Sequence, residues 1–101
     1  MKPDILARVT LYRTEQGGRR RPTPSSRFGC LFQVDGEYFD CRLLLDKSGP
    51  LNPGQTAVVA VKFLSPQLLK GHLRRSKPFK LWENKPIASG KVTKILEPAT
   101  S

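Results

Sequence analysis

The chain has 101 residues and a mass of 11.3 kDa, enough for one hydrophobic core and no separate catalytic lobe. Eighteen Lys and Arg against eight Asp and Glu give a formal net charge of +10 and a pI near 10.2, a field that draws phosphate-rich or acidic partners. The longest unbroken apolar run is residues 57–61, far short of the roughly twenty a spanning helix needs, and two cysteines with one histidine suffice neither for a disulfide framework nor for a zinc site.

Strand patterns follow one another along the chain. Over residues 5–12, Ile5, Ala7, Val9 and Leu11 alternate with Leu6, Arg8, Thr10 and Tyr12, the period-two signature of a half-buried strand. Residues 28–34 and 37–45 flank Asp35-Gly36, the dipeptide that favours a type I′ hairpin. Residues 56–64 are rich in β-branched side chains, residues 78–83 alternate Phe79 and Leu81 with Lys80 and Trp82, and residues 86–96 carry Ile87, Val92 and Ile95. The links, residues 16–26, 46–55 and 65–77, are loops by their Gly, Pro, Ser and Arg content, with room for a short helical turn only within 66–73. Six short strands without a long amphipathic helix predict an all-β domain, a barrel or sandwich, with a core over residues 4–96 and a frayed tail at 97–101.

A two-residue Asp35-Gly36 loop opposes residues whose numbers sum to 71, pairing Val34 with Glu37, Phe32 with Phe39 and Cys30 with Cys41. Both cysteines then share the face of the two phenylalanines, with Cα atoms about 5.5 Å apart and Cβ atoms pointing in parallel. That geometry suits a disulfide poorly, so two reduced core thiols are expected.

Chemistry is harder to find. His72, the only histidine, lies in a Lys/Arg-rich loop, and both cysteines are expected to face the core, which leaves no Cys–His dyad. Gly90-Lys91 is followed by Val92 and lacks the upstream glycine of a phosphate-cradling loop, so the chain alone is expected to bind no nucleotide. Asp40, Asp46, Glu83 and Glu97 show no spacing suited to metal or glycoside chemistry. No catalytic residue, metal site or cofactor is expected.

The positive charge, by contrast, is clustered. Arg19, Arg20, Arg21 and Arg27 share one loop with no acidic residue between them, and bidentate guanidinium donors suit phosphate oxygens. Lys70, Arg74, Arg75, Lys77 and Lys80 form a second acid-free cluster around His72. If successive strands reverse direction, the two clusters sit at opposite ends of strands about 20 Å long, beyond a screening length of about 8 Å. They read as two footprints on an extended polyanion, although a charge run can also be no more than a solvated face. Trp82 alternates away from Phe79 and Leu81 and should face outward, where it could stack a base or fill a partner's pocket. Tyr12 and Tyr38 are expected outward as well.

Several of these residues occur in a known order. Glu15-x-Gly17-Gly18-Arg19 after the first strand, Thr23-Pro24, Arg27, Leu51-x-Pro53-Gly54, Pro66, Phe79-x-Leu81-x-Glu83 and Gly90-x-Val92-x-x-Ile95-Leu96 together resemble the C-terminal β-barrel domain of elongation factor Tu over residues 5–96. The resemblance implies a six-stranded antiparallel closed barrel without GTPase activity of its own, a domain that contacts the T-stem backbone of aminoacyl-tRNA, a GTPase domain and an exchange factor. Arg19 matches that family's Gly-Gly-Arg loop, and Glu83 matches a glutamate at its tRNA surface. Arg20, Arg21 and Pro22 are extra, Ser25-Ser26 replace an aromatic pair, and Gly29 stands where the family places a tRNA-facing glutamine.

The resulting expectation is a cytoplasmic, non-enzymatic module that binds tRNA-like or ribosomal RNA, or a ribonucleoprotein, through Arg19, Arg20, Arg21, Arg27, Lys70, Arg74, Arg75, Lys77 and Lys80. The alternative is docking on a translation GTPase or another acidic protein, with Trp82, Glu83, Tyr38 and Tyr12 at the interface. No membrane partner is expected.

Overall fold

The structure, a computed structural model, describes residues 2–97 and 100. Its strands are β1 (Ile5–Leu11), β2 (Arg27–Val34), β3 (Glu37–Leu44), β4 (Thr56–Phe63), β5 (Pro78–Trp82) and β6 (Pro86–Ile95). They close into an antiparallel barrel in the order β1-β4-β3-β2-β5-β6. The six expected strands are all present, with ends one residue from those read off the sequence. A 3₁₀ turn at Pro66–Leu69 occupies the segment with room for helix, and a second, Thr14–Gln16, was not foreseen. Of the tail expected to fray, residues 98, 99 and 101 lie outside the described residues; the backbone N–H of Glu97 donates to the carbonyl of Asp4 at 3.0 Å and Thr100 is buried.

Local chemistry accounts for the elements. The inward set of β1 (Ile5, Ala7, Val9, Leu11) is buried, as its alternation demands. Asp35 and Gly36 take φ of 52° and 77°, the left-handed pair a type I′ turn requires. That turn sets the β2–β3 register at Val34 opposite Glu37, Phe32 opposite Phe39 and Cys30 opposite Cys41, as the arithmetic required. Both thiols are free and buried, with Sγ atoms 3.6 Å apart.

Phe32 centres the core. It stacks on Phe79 at 4.2 Å between centroids and meets Phe63 edge-on at 4.9 Å, and each such buried ring contributes about 2–3 kcal/mol by burial alone. Gly90 faces Phe79 across β5–β6, where a Cβ would lie 2.5 Å from the backbone carbonyl oxygen of Arg8 and 2.6 Å from the ring's Cζ, so backbone and ring together occupy the volume a side chain would need.

Alternating strand directions sort the loops between two ends. At one, Thr23 and Leu51 exchange bonds: Thr23 N–H donates to the Leu51 carbonyl at 2.9 Å and Leu51 N–H to the Thr23 hydroxyl at 2.8 Å. These hold the β1–β2 loop against the β3–β4 loop. At the other end the β4–β5 loop lies against the β2–β3 hairpin.

Candidate nucleic-acid interface

The first basic cluster is less uniform than its sequence suggests. Gly18 is buried against the carbonyl of Tyr12, an approach that only a residue without Cβ allows, and this presses the following residue onto the barrel. Arg19 is consequently half-buried: its guanidinium pairs with Glu83, donates to the carbonyls of Arg21 and Pro22 at 3.3 Å each, and lies 4.8 Å above the ring of Phe28. A cluster without acid in sequence therefore has one in space, 64 residues further along the chain. With its donors engaged, Arg19 ties the loop to β5. Arg20, Arg21 and Arg27 are exposed. Arg20 and Arg21 line a cleft of about 450 Å³ shared with Glu83, Asn84 and Lys85.

The second cluster is also partnered. Lys77 Nζ lies 2.6 Å from Asp35 Oδ1, His72 Nδ1 lies 3.0 Å from Asp35 Oδ2, and His72 Nε2 lies 3.2 Å from Glu37 Oε2. Hydrogen bonds from Lys77 first and His72 second hold the Asp35 carboxyl below the usual carboxylate range. These contacts clasp the β4–β5 loop to the hairpin, with the His72 ring 5.4 Å from Phe39. Lys70, Arg74 and Arg75 remain exposed on the loop, and Lys80 stands apart from them on the outer face of β5. The two clusters thus occupy opposite ends of the barrel, each reduced to three cations without a carboxylate partner among the described residues: Arg20, Arg21 and Arg27 at one end, and Lys70, Arg74 and Arg75 at the other.

Of the aromatic residues expected outward, Tyr38 is 50% exposed, while Trp82 and Tyr12 are half-buried. Trp82 is held in place: its Nε1–H donates to Gln33 Oε1 at 2.6 Å, and the ring of Tyr38 meets it edge-on at 5.5 Å. Gln33 in turn donates from Nε2 to the Tyr38 hydroxyl at 3.4 Å.

Two cations that sequence reading passed over belong beside these. Cross-strand register places Tyr38 opposite Gln33, Gln33 opposite Lys80, Lys80 opposite Ser89 and Ser89 opposite Thr10, a single outward rung across five strands. The next rung sets Pro78 opposite Lys91 and Lys91 opposite Arg8. Arg8, Lys80 and Lys91 thereby converge on an open groove of about 650 Å³ in the barrel wall. Among the described residues none of the three is paired with a carboxylate. The one acid lining the groove, Asp35, is engaged by Lys77 and His72. In sequence, the only signal was that Arg8 and Lys91 are polar members of alternating strands, indistinguishable from ordinary solvent-facing residues.

The Cys41 thiol is pushed well up by its hydrogen bond with Cys30 and by burial, the opposite of what a nucleophile needs. Among the described residues no group of three or more His, Cys, Asp and Glu is placed to hold a metal ion, and no helix is long and apolar enough to cross a membrane. Neither a protein-family model nor a curated protein matches the chain.

Proposed function

We propose that the protein is a non-enzymatic module that binds RNA, or an RNA-containing assembly, through its basic surfaces. The observation that carries the reading is the set of exposed cations at both ends of the barrel that lack a carboxylate partner among the described residues, within a chain of net charge +10. Charges left unpaired at this density raise the local concentration of polyanions and release counterions on binding them. The resemblance to the tRNA-contacting barrel of elongation factor Tu supports RNA over other polyanions and implies a cytoplasmic role connected with translation. Arg19 and Glu83, the two residues that resemblance singles out, here satisfy one another, so on this reading the contact passes to Arg20, Arg21 and Arg27.

The test is electrophoretic mobility shift with tRNA and with ribosomal RNA fragments at increasing salt. Affinity should fall by roughly 0.7–0.9 log units per log unit of salt for each phosphate neutralised. Absence of binding to either RNA at low salt overturns the reading.

A second reading, docking on an acidic protein such as a translation GTPase, is favoured by one feature. Leu64 and Leu68, 52% and 58% exposed, lie at the end of the barrel that also carries half-exposed Tyr38. Co-purification that survives nuclease treatment and is lost on changing Leu64 and Leu68 to Ser would support this second reading over RNA.

A further inference from the structure

We infer that the barrel wall, and not only the loops, is a binding site, and that its ligand is a single-stranded nucleic acid laid across the strands. Its phosphates meet Lys80, Lys91 and Arg8, and a base stacks on the Tyr38–Trp82 pair. This rests on the RNA-binding reading and deepens it.

Three observations converge. The first is order: register fixes Tyr38, Gln33, Lys80, Ser89 and Thr10 as successive outward residues on adjacent strands, with Lys91 and Arg8 one rung away. At about 4.8 Å between strands the band runs about 19 Å along the curved wall, around five of the six strands, with its aromatic and cationic ends on different sides of the barrel, so that a bound strand follows the curve between them. That separation suits a chain whose bases and phosphates are contacted apart, at the low end of the roughly 4–16 nucleotides a small barrel covers.

The second is charge. Among the described residues Arg8, Lys80 and Lys91 have no carboxylate partner, and they line a concave surface of about 650 Å³ where Ser89 adds a hydroxyl donor, the Thr10 hydroxyl being shared with Thr56 at 2.8 Å. Three unpaired cations in one groove repel one another, and an anion there relieves that repulsion.

The third is preorganisation. Trp82 is fixed by its bond to Gln33 and by the edge of Tyr38, so the platform is in place before a base arrives, and half of Tyr38 is open to receive it. A duplex keeps its bases paired and stacked internally; only an unpaired strand can lay a base on Tyr38 while its backbone reaches Lys80, two strands away.

Trp82 is the only tryptophan, so its emission reports the platform directly in the unmodified protein. The experiment titrates the wild-type chain with a 12-nucleotide oligouridylate, and separately with an RNA duplex of equal length, in low salt. The oligouridylate should quench or shift the emission and bind at least tenfold more tightly than the duplex. Changing Arg8, Lys80 and Lys91 together to Ala should weaken oligouridylate binding at least tenfold and lower the salt slope by about 2, as expected for three lost phosphate contacts at about 0.7 each. Lys47→Ala with Lys94→Ala, two exposed cations outside both loop clusters and outside the groove, should leave oligouridylate binding within twofold. Thermal melting verifies that both variants fold, and the wild-type emission test stands without any variant. Binding with unchanged emission, or equal affinity for the duplex, or an unaffected triple variant overturns the wall site while leaving the RNA reading intact. Failure of the wild type to bind the oligouridylate, the duplex and tRNA alike defeats that reading itself.

Discussion

The carboxylate of Asp4 accepts the backbone N–H of Phe63 at 2.8 Å, joining the residue before β1 to the last residue of β4. Asp4 is 2% exposed and binds on every side: its N–H donates to the Val61 carbonyl at 2.8 Å, its carbonyl accepts from Leu96 at 2.8 Å, and Lys62 Nζ lies 3.2 Å from the carboxylate. Removing the side chain strands a buried donor and a half-buried ammonium. Asp4→Ala should therefore lower the unfolding free energy by about 2–3 kcal/mol, read by urea denaturation, and Asp4→Asn, which can still accept from Phe63, by less. A change under about 0.5 kcal/mol for the alanine variant would contradict this.

Arg19 and its neighbours Arg20 and Arg21 should separate experimentally. Arg19 pairs with Glu83 and covers Phe28, contacts worth about 1–2 kcal/mol together in a partly desolvated site. Arg19→Ala should lower the melting temperature by about 4–8 °C per kcal/mol lost, whereas Arg20→Ala and Arg21→Ala should leave it unchanged and weaken tRNA binding instead. Equal melting temperatures for all three would remove the distinction.

Stability should also carry a signature of Asp35 at low pH. Lys77 and His72 hold its carboxyl below the ordinary value, so the folded state favours the ionised form. A depressed carboxyl contributes stability fully above the unfolded value of about 3.9, and that contribution is lost as pH falls through the lower folded value. Asp35→Asn keeps a residue tolerant of the turn's positive φ while removing the charge. Melting temperatures measured from pH 6 down to pH 2 should fall more steeply for the wild type than for this variant below about pH 4; parallel curves would argue against the clasp.

The two thiols should be present but hidden. Cys30 and Cys41 are buried, and Cys41 is held protonated by its neighbour and by burial. Ellman's reagent at pH 7.5 should label neither thiol in the native protein within minutes and both in denaturant. Rapid labelling without denaturant, or the absence of free thiol with it, would contradict this arrangement.

Gly90 should resist substitution. A methyl group there meets the backbone carbonyl of Arg8 as well as Phe79, itself stacked on Phe32, so Gly90→Ala should destabilise by about 1–3 kcal/mol through overpacking, of which only the part due to the ring can be relieved at Phe79. Combining it with Phe79→Leu should recover part of that loss, a coupling that a double-mutant cycle in urea would measure.

The strands and the hairpin register were legible because their signals are local. Alternation marked the buried set of β1, and the Asp35-Gly36 turn dictated the partner of every residue in β2 and β3. What escaped depends on which strands become neighbours on closure. Arg19 and Glu83 are 64 positions apart, Asp35 and His72 are 37 apart, and no local pattern joins them. The same holds for Arg8 and Lys91, which look like solvated strand residues until β1 and β6 pair and bring them beside Lys80. Acid-free stretches of sequence were therefore a poor guide to unpaired charge, because a folded chain supplies counterions from a distance.

Because β1 completes the ring against β6, every strand has a neighbour on both sides. Where the strands pair, incoming polypeptide finds no bare ladder of N–H and C=O groups to extend, which confines strand addition to the splayed strand ends, such as residues 27–30 on the β5 side of β2, and limits edge-to-edge aggregation. Recognition is left to side chains projecting from a frame that does not itself take part. Outward residues such as Lys80, Ser89 and Lys91 can then be exchanged singly without unmaking the sheet, so the partner of such a barrel is open to change while its architecture stays constant.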